Sequence, residues 1–353
     1  MLKHARIALN VLILFFLFGF SAISLADESD ADWENFEFDD RPVEEISHPA
    51  WFKESFLDLD DDLQEAVSAG KKGIAVYFGQ KNCAYCKALM KNDFGQEDIA
   101  TYTRKNFDVI SINIWGSNEV TTPGGEVLTE REYAVQEKAN LTPSLIFYDK
   151  EGSKSLMLKG YYPPYKFRAA LEYVVEGYYR EETLRNYLNR ADPPPKFDMA
   201  ELNSDELFMQ PPYMLDRSRI KAQQPLLVIF EQYDCHACDV LHSSPMQKES
   251  TRALLKKFDI VQLDMNSDTR VLTPDGKKLT AREWADQLNL FYAPTLIAFD
   301  ESGKEIIRLD SVAHAYRLKS VLNYVVSKNY IETPDFMSWR FNVIFGGKKL
   351  PKM

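Results

Sequence analysis

An internal repeat is the feature that most constrains how this 353-residue chain can fold. Segments of the first half recur in the second half about 151 residues later, in one register. The matched positions are Pro143 with Pro294, Asp149 with Asp300, Gly152 with Gly303, and residues 128–134 and 171–175 with 279–285 and 322–326. Chance does not preserve one register over so long a stretch, so the repeat indicates a duplication and predicts two similar domains.

The same order of elements is predicted in both copies. Residues 74–78 and 226–230 are short apolar runs, as expected of strands that are buried on both faces. The other predicted elements are strands at 107–114 and 258–265, amphipathic helices at 129–139 and 280–289, and closing helices at 164–179 and 315–328. Strands alternating with helices predict the α/β class, with a mixed central sheet flanked by helices in each copy.

The N-terminus has the pattern of a secretory signal peptide. Lys3 and Arg6 precede the apolar residues 7–20, and Ser24-Leu25-Ala26 places small residues at a cleavage site. The apolar run is shorter than a bilayer span of about 20 residues. We therefore expect cleavage after Ala26, and no integral membrane domain in the mature protein.

Composition separates the remaining segments. The proline run at 193–195 cannot be helical and indicates an extended spacer between the copies. The resulting division is a signal peptide at 1–26, an acidic flexible arm at 27–47, a first domain at 48–190, a Pro-rich linker at 191–210, a second domain at 211–331 and a C-terminal tail at 332–353. The net charge of −11 repels nucleic-acid phosphates and anionic lipid, which argues against either as a main partner.

All four cysteines lie in two Cys-x-x-Cys pairs, Cys83/Cys86 and Cys235/Cys238. Four thiolates on one structural zinc is one interpretation, although the pairs stand in separate repeats. Haem attachment requires His directly after the second cysteine, and Lys87 or Asp239 follows instead. Inert structural disulfides remain an alternative, although so short a loop restrains the unfolded chain little.

Redox chemistry explains the spacing directly. Each pair follows a predicted strand and begins a predicted helix, where unpaired N–H groups and the helix dipole stabilise the thiolate of Cys83 or Cys235. The second cysteine, one turn later, is placed to resolve a mixed disulfide. The pattern occurs twice in one register, which makes this hypothesis the preferred one.

With these motifs, the chain resembles the thioredoxin superfamily, and especially the periplasmic thioredoxin-like proteins of the SoxW and Dsb type. The resemblance rests on Cys-Ala-Tyr-Cys, Cys-His-Ala-Cys and the prolines that follow them, and it covers about residues 50–180 and 210–331. It implies two tandem thioredoxin-like domains in which Pro143 and Pro294 are cis and lie beside the cysteines. It also implies that Thr142 and Ala293 offer backbone hydrogen bonds to an extended substrate segment.

Two departures from the thioredoxin pattern concern proton transfer and docking. The tryptophan before the first cysteine and the buried aspartate six residues before it are both absent; Tyr77 and Ile229 occupy the aspartate's positions. Glu231 is a possible substitute, although we expect it to be solvated. Between the cysteines, Tyr85 and His236 are candidates for tuning the thiolates, with the His236 site the more oxidising one.

The predicted function is a periplasmic thiol-disulfide oxidoreductase that acts on protein disulfides, with reduction or isomerisation favoured by the resemblance. We expect no cofactor and no metal, so a protein partner, such as a membrane Dsb-type reductase, must exchange the electrons. The alternative is a duplicated thioredoxin-fold chaperone or assembly platform in which the cysteines are secondary. Metal delivery through the paired thiols is a third hypothesis.

Overall fold

The computed structural model describes residues 45–191 and 202–345. The predicted signal peptide, most of the acidic arm and half of the predicted linker lie outside these residues. Within them, no helix is both long and apolar enough to cross a membrane.

The first domain contains six helices and six strands. They are α1 (Leu59–Ser68), β1 (Gly73–Gly79), α2 (Ala84–Ala88), α3 (Glu97–Asn106), β2 (Phe107–Asn113), β3 (Glu119–Thr121), β4 (Val127–Thr129), α4 (Glu130–Gln136), β5 (Ser144–Asp149), β6 (Lys154–Lys159), α5 (Pro164–Val175) and α6 (Leu184–Ala191). A π-helical turn (Leu89–Asp93) extends α2, and a 3₁₀ turn (Tyr178–Arg180) precedes α6.

The second domain repeats this order, except that a strand of 2 residues takes the place of α1 at its start. Its elements are β7 (Tyr213–Met214), β8 (Leu226–Glu231), α7 (His236–Ser243), α8 (Glu249–Leu255), β9 (Asp259–Asp264), β10 (Arg270–Leu272), β11 (Lys278–Thr280), α9 (Ala281–Gln287), β12 (Thr295–Phe299), β13 (Glu305–Leu309), α10 (Ala315–Val326), α11 (Asn329–Glu332) and α12 (Phe336–Phe345).

Each domain is built on a four-stranded mixed sheet. The strand orders are β2-β1-β5-β6 and β9-β8-β12-β13, with one parallel pair and two antiparallel pairs in each. Every residue of β1 and β8 is buried, as their apolar sequences predict for central strands covered by helices on both faces. The predicted fold class is confirmed in both copies.

A repeated helix cap fixes α4 and α9 at the same place in the two domains. The hydroxyls of Thr129 and Thr280 accept hydrogen bonds from the N–H groups of Glu132 and Glu283, whose carboxylates accept from the threonine N–H groups in return. This capping box satisfies N–H groups that have no partner inside the helix. The same local interaction therefore begins the equivalent helix in both copies of the repeat.

The region predicted as a C-terminal tail contains α12. Phe336, Met337 and Trp339 in this helix are nearly fully buried and belong to an apolar cluster that includes residues of both domains. The ring of Phe341 lies 5.1 Å, centre to centre, from the ring of Trp115 in the first domain, with the two planes tilted by 47°. Most of the described part of this region is thus a structural element that joins the two domains.

The domains also meet at polar contacts. Arg185 in α6, which is 3% exposed, donates from Nη1 to the Leu290 carbonyl at 2.7 Å and from Nη2 to the Met265 carbonyl at 3.0 Å. The Val312 N–H donates to the Tyr161 carbonyl at 3.0 Å. These two residues stand in the segments that follow β13 and β6, so equivalent segments of the repeat meet each other.

Candidate active sites

Each Cys-x-x-Cys pair lies where a central strand passes into a helix. Cys83 is the N-cap of α2, and Cys235 is the N-cap of α7; their Sγ atoms accept from the N–H groups of Cys86 at 3.0 Å and Cys238 at 3.2 Å. Both pairs are joined as disulfides. The predicted placement at helix N-termini, where a thiolate is stabilised, is confirmed.

The two separate disulfides are inconsistent with one zinc site formed by all four cysteines. Each cysteine is bonded to its neighbour within the motif, so the four sulfurs do not form one ligand set. Within residues 45–191 and 202–345, no group of three or more His, Cys, Asp or Glu side chains is placed to hold a metal ion.

The prolines predicted from the resemblance lie where it implies. The Thr142–Pro143 and Ala293–Pro294 peptide bonds are cis. Thr142 Oγ1 is 3.4 Å from Cys83 Sγ, and Ala293 and Pro294 line the same cavity as Cys235. The structure therefore brings each proline motif to its own cysteine pair, although the substrate-binding function of these residues remains a prediction.

A polar chain reaches the first site through Thr142. The Trp115 Nε1–H donates to Gln80 Oε1 at 2.8 Å, and Gln80 Nε2 donates to Thr142 Oγ1 at 3.0 Å. Because Gln80 already donates to this hydroxyl, the hydroxyl's own proton is available to the sulfur of Cys83. A donor at this distance favours a thiolate over a thiol. The second site has Ala293 at this position and hence no such hydroxyl.

The two candidate tuning residues are in different surroundings. Tyr85 is 1% exposed and is covered by the second domain, with its hydroxyl accepting from the His314 N–H at 2.9 Å. His236 is partly exposed and lines the cavity beside Cys235. Tyr85 thus contacts another domain instead of facing solvent beside the thiols, which its sequence position does not reveal.

A buried carboxyl group is present in each domain, at positions the thioredoxin pattern does not predict. Asp93, at the end of the π-helical turn, is fully buried, and neither of its carboxyl oxygens has a hydrogen-bond partner among the described residues. Burial raises the pKa of Asp93 well above its usual value, because the charged form is poorly solvated. The aligned position in the second copy is Pro245, so the repeat offers no signal for this acid.

In the second domain the buried acid is Glu231, and the expectation that it is solvated is wrong. Glu231 is 0% exposed; Oε1 lies 2.7 Å from His242 Nε2, and Oε2 accepts from Gln262 Nε2 at 2.7 Å. His242, for which the sequence suggested no chemistry, is on the same helix as Cys238, one turn later. Burial of this carboxyl group at the end of a central strand is tolerated because both of its oxygens have hydrogen-bond partners.

Two Cys-x-x-Cys disulfides, each at a helix N-terminus beside a cis-proline on a four-stranded mixed sheet, define a protein of tandem thioredoxin-like domains. A family model described as "Thioredoxin-like domain" matches residues 59–175 and 216–326, which together form more than half of the chain. The chain belongs to this family.

Three solved structures with thioredoxin-related descriptions are similar to parts of this chain at low identity. A thioredoxin-fold protein from Helicobacter pylori is 17% identical, with 38% of this chain and 87% of that one covered and a TM-score of 0.33. A structure described as DsbH oxidoreductase is 12% identical, with coverages of 37% and 92% and a TM-score of 0.26. Mitochondrial thioredoxin 3 from Saccharomyces cerevisiae is 15% identical, with coverages of 33% and 93% and a TM-score of 0.22. Among curated proteins, none matches significantly.

Proposed function

We propose that this protein is a periplasmic thiol-disulfide oxidoreductase that reduces or isomerises disulfides in protein substrates. The observation that carries the proposal is the pairing of each Cys-x-x-Cys disulfide with a helix N-terminus and a cis-proline. The secretory pattern of residues 1–26 supports the periplasm, an oxidising compartment in which disulfides persist.

The chemistry begins from the reduced pair. The thiolate of the first cysteine attacks one sulfur of a substrate disulfide, forming a mixed disulfide and releasing the other substrate sulfur as a thiolate. The second cysteine, deprotonated, then attacks the first, releasing the remaining substrate thiol and leaving the disulfide seen in the structure. The substrate gains two electrons and the pair loses two, so a dithiol protein donor must reduce the pair again.

The test uses the reduced, folded protein and a thiol-specific electrophile below neutral pH. Because an ordinary cysteine has a pKa of about 8.5, an unactivated thiol reacts slowly there. We expect rapid labelling at the first cysteine of at least one pair, together with catalysed reduction of a protein disulfide. Finding every cysteine inert under these conditions would falsify the proposal.

The direction of electron flow is measured by the reduction potential of each pair. Variants that keep one pair, with the other changed to serine, report the pairs separately. A value of about −270 mV indicates a reductase, and one of about −120 mV an oxidant. An oxidant's potential at both pairs would contradict the proposed reduction or isomerisation.

The binding-platform alternative is favoured by one observation, the burial of the first pair beneath the second domain. Cys83 is 5% exposed and Cys86 is 0% exposed. A variant with all four cysteines changed to serine separates the two functions. Prevention of substrate aggregation that survives in this variant supports the platform, whereas loss of the substrate effect supports thiol exchange.

A further inference from the structure

The second domain covers the first active site. Tyr85 lies between Cys83 and Cys86 in sequence. The guanidinium carbon of Arg317 lies 3.4 Å from the centre of its ring. On the same tyrosine, the hydroxyl accepts from the His314 N–H at 2.9 Å. Both contacting residues come from the start of α10 and the segment before it, in the other copy of the repeat. The first Cys-x-x-Cys motif is therefore an interdomain contact.

Arg317 also binds the backbone carbonyl of Thr142, the residue before the cis-proline. Its Nη2 donates to the Thr142 carbonyl at 2.7 Å, and the arginine side chain is 1% exposed. A charge-assisted hydrogen bond of this kind is stronger than one between neutral groups. Thr142 is itself 1% exposed, so an incoming polypeptide cannot reach this part of the site without displacing the arginine.

The second site also borders the other domain, but it is more accessible. Cys235 and Ala293 are partly exposed, and they line a cavity of about 140 Å³. One wall of this cavity comes from the first domain and includes Tyr161, Tyr165 and Lys166. The site is thus open, and it is complete only when the two domains are docked.

The repeat explains how one docking closes one site and builds the other. Lys166 and Arg317 are equivalent positions, at the third residue of α5 and α10 respectively. Lys166 lines the cavity beside Cys235, whereas Arg317 stacks on Tyr85 and binds the Thr142 carbonyl. The start of α5 faces the cysteines of the second domain, and the start of α10 faces those of the first domain. Only Arg317, at the start of α10, fills the site that it faces.

We propose that the protein exchanges disulfides with external substrates through Cys235, in a cavity built from both domains, while the second domain keeps Cys83 closed. A cavity of this size takes a group about as large as benzene. The substrate is therefore a cysteine on a protruding or unfolded polypeptide segment, because a flat folded surface cannot enter. This inference rests on the proposed function, since it assigns the site at which that function begins.

The first test compares the two cysteines in the unaltered protein. The reduced full-length protein is treated briefly with a maleimide, and alkylation of Cys83 and Cys235 is followed by peptide mass spectrometry. Since burial limits access to a thiol until a local opening occurs, we expect Cys235 to react at least about tenfold faster. Equal rates overturn the inference and leave the proposed function standing, whereas two inert cysteines contradict the function itself.

The second test removes the cover. Arg317→Ala is expected to raise the alkylation rate of Cys83 about tenfold by exposing the site, with the rate of Cys235 changed much less. Arg270→Ala is the matched control, because Arg270 is an exposed arginine of the same domain in β10. A folded Arg317→Ala protein in which Cys83 stays as slow as in the control overturns the inference. Should that variant fail to fold, the comparison within the unaltered protein decides.

Discussion

Thr142 gives the first active site a side-chain hydroxyl beside its sulfur that the second active site lacks. Its hydroxyl is positioned by Gln80 and lies 3.4 Å from Cys83 Sγ, whereas the equivalent Ala293 has no donor to offer. Both residues between the cysteines differ too, with Ala84-Tyr85 in one motif and His236-Ala237 in the other, but Tyr85 is engaged by the second domain. The threonine hydroxyl is therefore the clearer cause of any difference between the two thiolates.

Thr142→Ala is predicted to raise the pKa of the Cys83 thiol by about one unit. A hydrogen bond to a charged group contributes about 1.5–3 kcal/mol, and one pKa unit corresponds to about 1.4 kcal/mol. The sign follows because the hydroxyl stabilises the thiolate, so its removal favours the protonated form. The thiolate absorbance is titrated in protein that lacks the second pair, through Cys235→Ser and Cys238→Ser.

Ala293→Thr provides the reciprocal control. Introduced into protein that keeps only the second pair, it is expected to lower the pKa of Cys235. An unchanged pKa of Cys83 in Thr142→Ala would show that the hydroxyl does not act on the sulfur.

At the scale of elements, the segments that follow β6 and β13 connect strand to helix and also form part of the contact between the two domains. They meet through the Val312–Tyr161 hydrogen bond and a close approach at Gly160, which has φ = +94°. A Cβ added at Gly160 would lie 1.9 Å from Ser311 Oγ in the other domain. Glycine is needed here both for the backbone conformation and for the contact.

Gly160→Ala is predicted to destabilise the protein more than Gly177→Ala does. Gly177 has φ = +83° and, among the described residues, nothing within 4 Å of an added Cβ, so it reports the backbone strain alone. That strain costs about 1–2 kcal/mol, and at Gly160 the displacement of Ser311 adds to it. Urea unfolding of both variants measures the difference. Equal losses of stability in the two variants would mean that the contact between Gly160 and Ser311 adjusts to the extra methyl group at no cost in free energy.

At the scale of the whole molecule, the two domains are held as one unit by side chains from the ends of the repeats. Arg185 in α6 reaches the Met265 and Leu290 carbonyls of the second domain and forms an ion pair with Asp286. Phe336 and Trp339 of helix α12 pack into a cluster that includes residues of both domains. Closure of the first site and formation of the second cavity both depend on this docking.

Arg185→Ala is predicted to separate the unfolding of the two domains. It leaves two buried carbonyls without their donor, at about 1–3 kcal/mol for each group, and it removes a bond between the domains. The control is Arg190→Ala on the same helix, since Arg190 is exposed and pairs with Glu182 within the first domain, and an exposed ion pair contributes little to stability.

The measurement is calorimetric unfolding of the full chain. We expect one transition for the unaltered protein and for Arg190→Ala, and two for Arg185→Ala. A single transition in all three would show that Arg185 does not couple the domains.

The sequence by itself determined the duplication, the α/β class and the position of both cysteine pairs. These follow from local signals: apolar runs form central strands, and a threonine followed three residues later by a glutamate caps a helix. Helix ends were less well predicted. The helix α5 was expected to end at residue 179, but it ends at Val175, and Glu176 and Gly177 close it directly afterwards. The cis-prolines were correctly predicted because the resemblance supplied their context.

Only the tertiary structure decided that the first site is closed and the second is open. Arg317 is separated from Tyr85 by more than half of the chain, and no periodicity or motif connects them. Glu231 looked like a surface carboxylate, because its partners His242 and Gln262 come from a neighbouring helix and strand. The repeat therefore specifies two redox sites through local sequence, whereas the burial of one and the opening of the other arise from contacts between the domains.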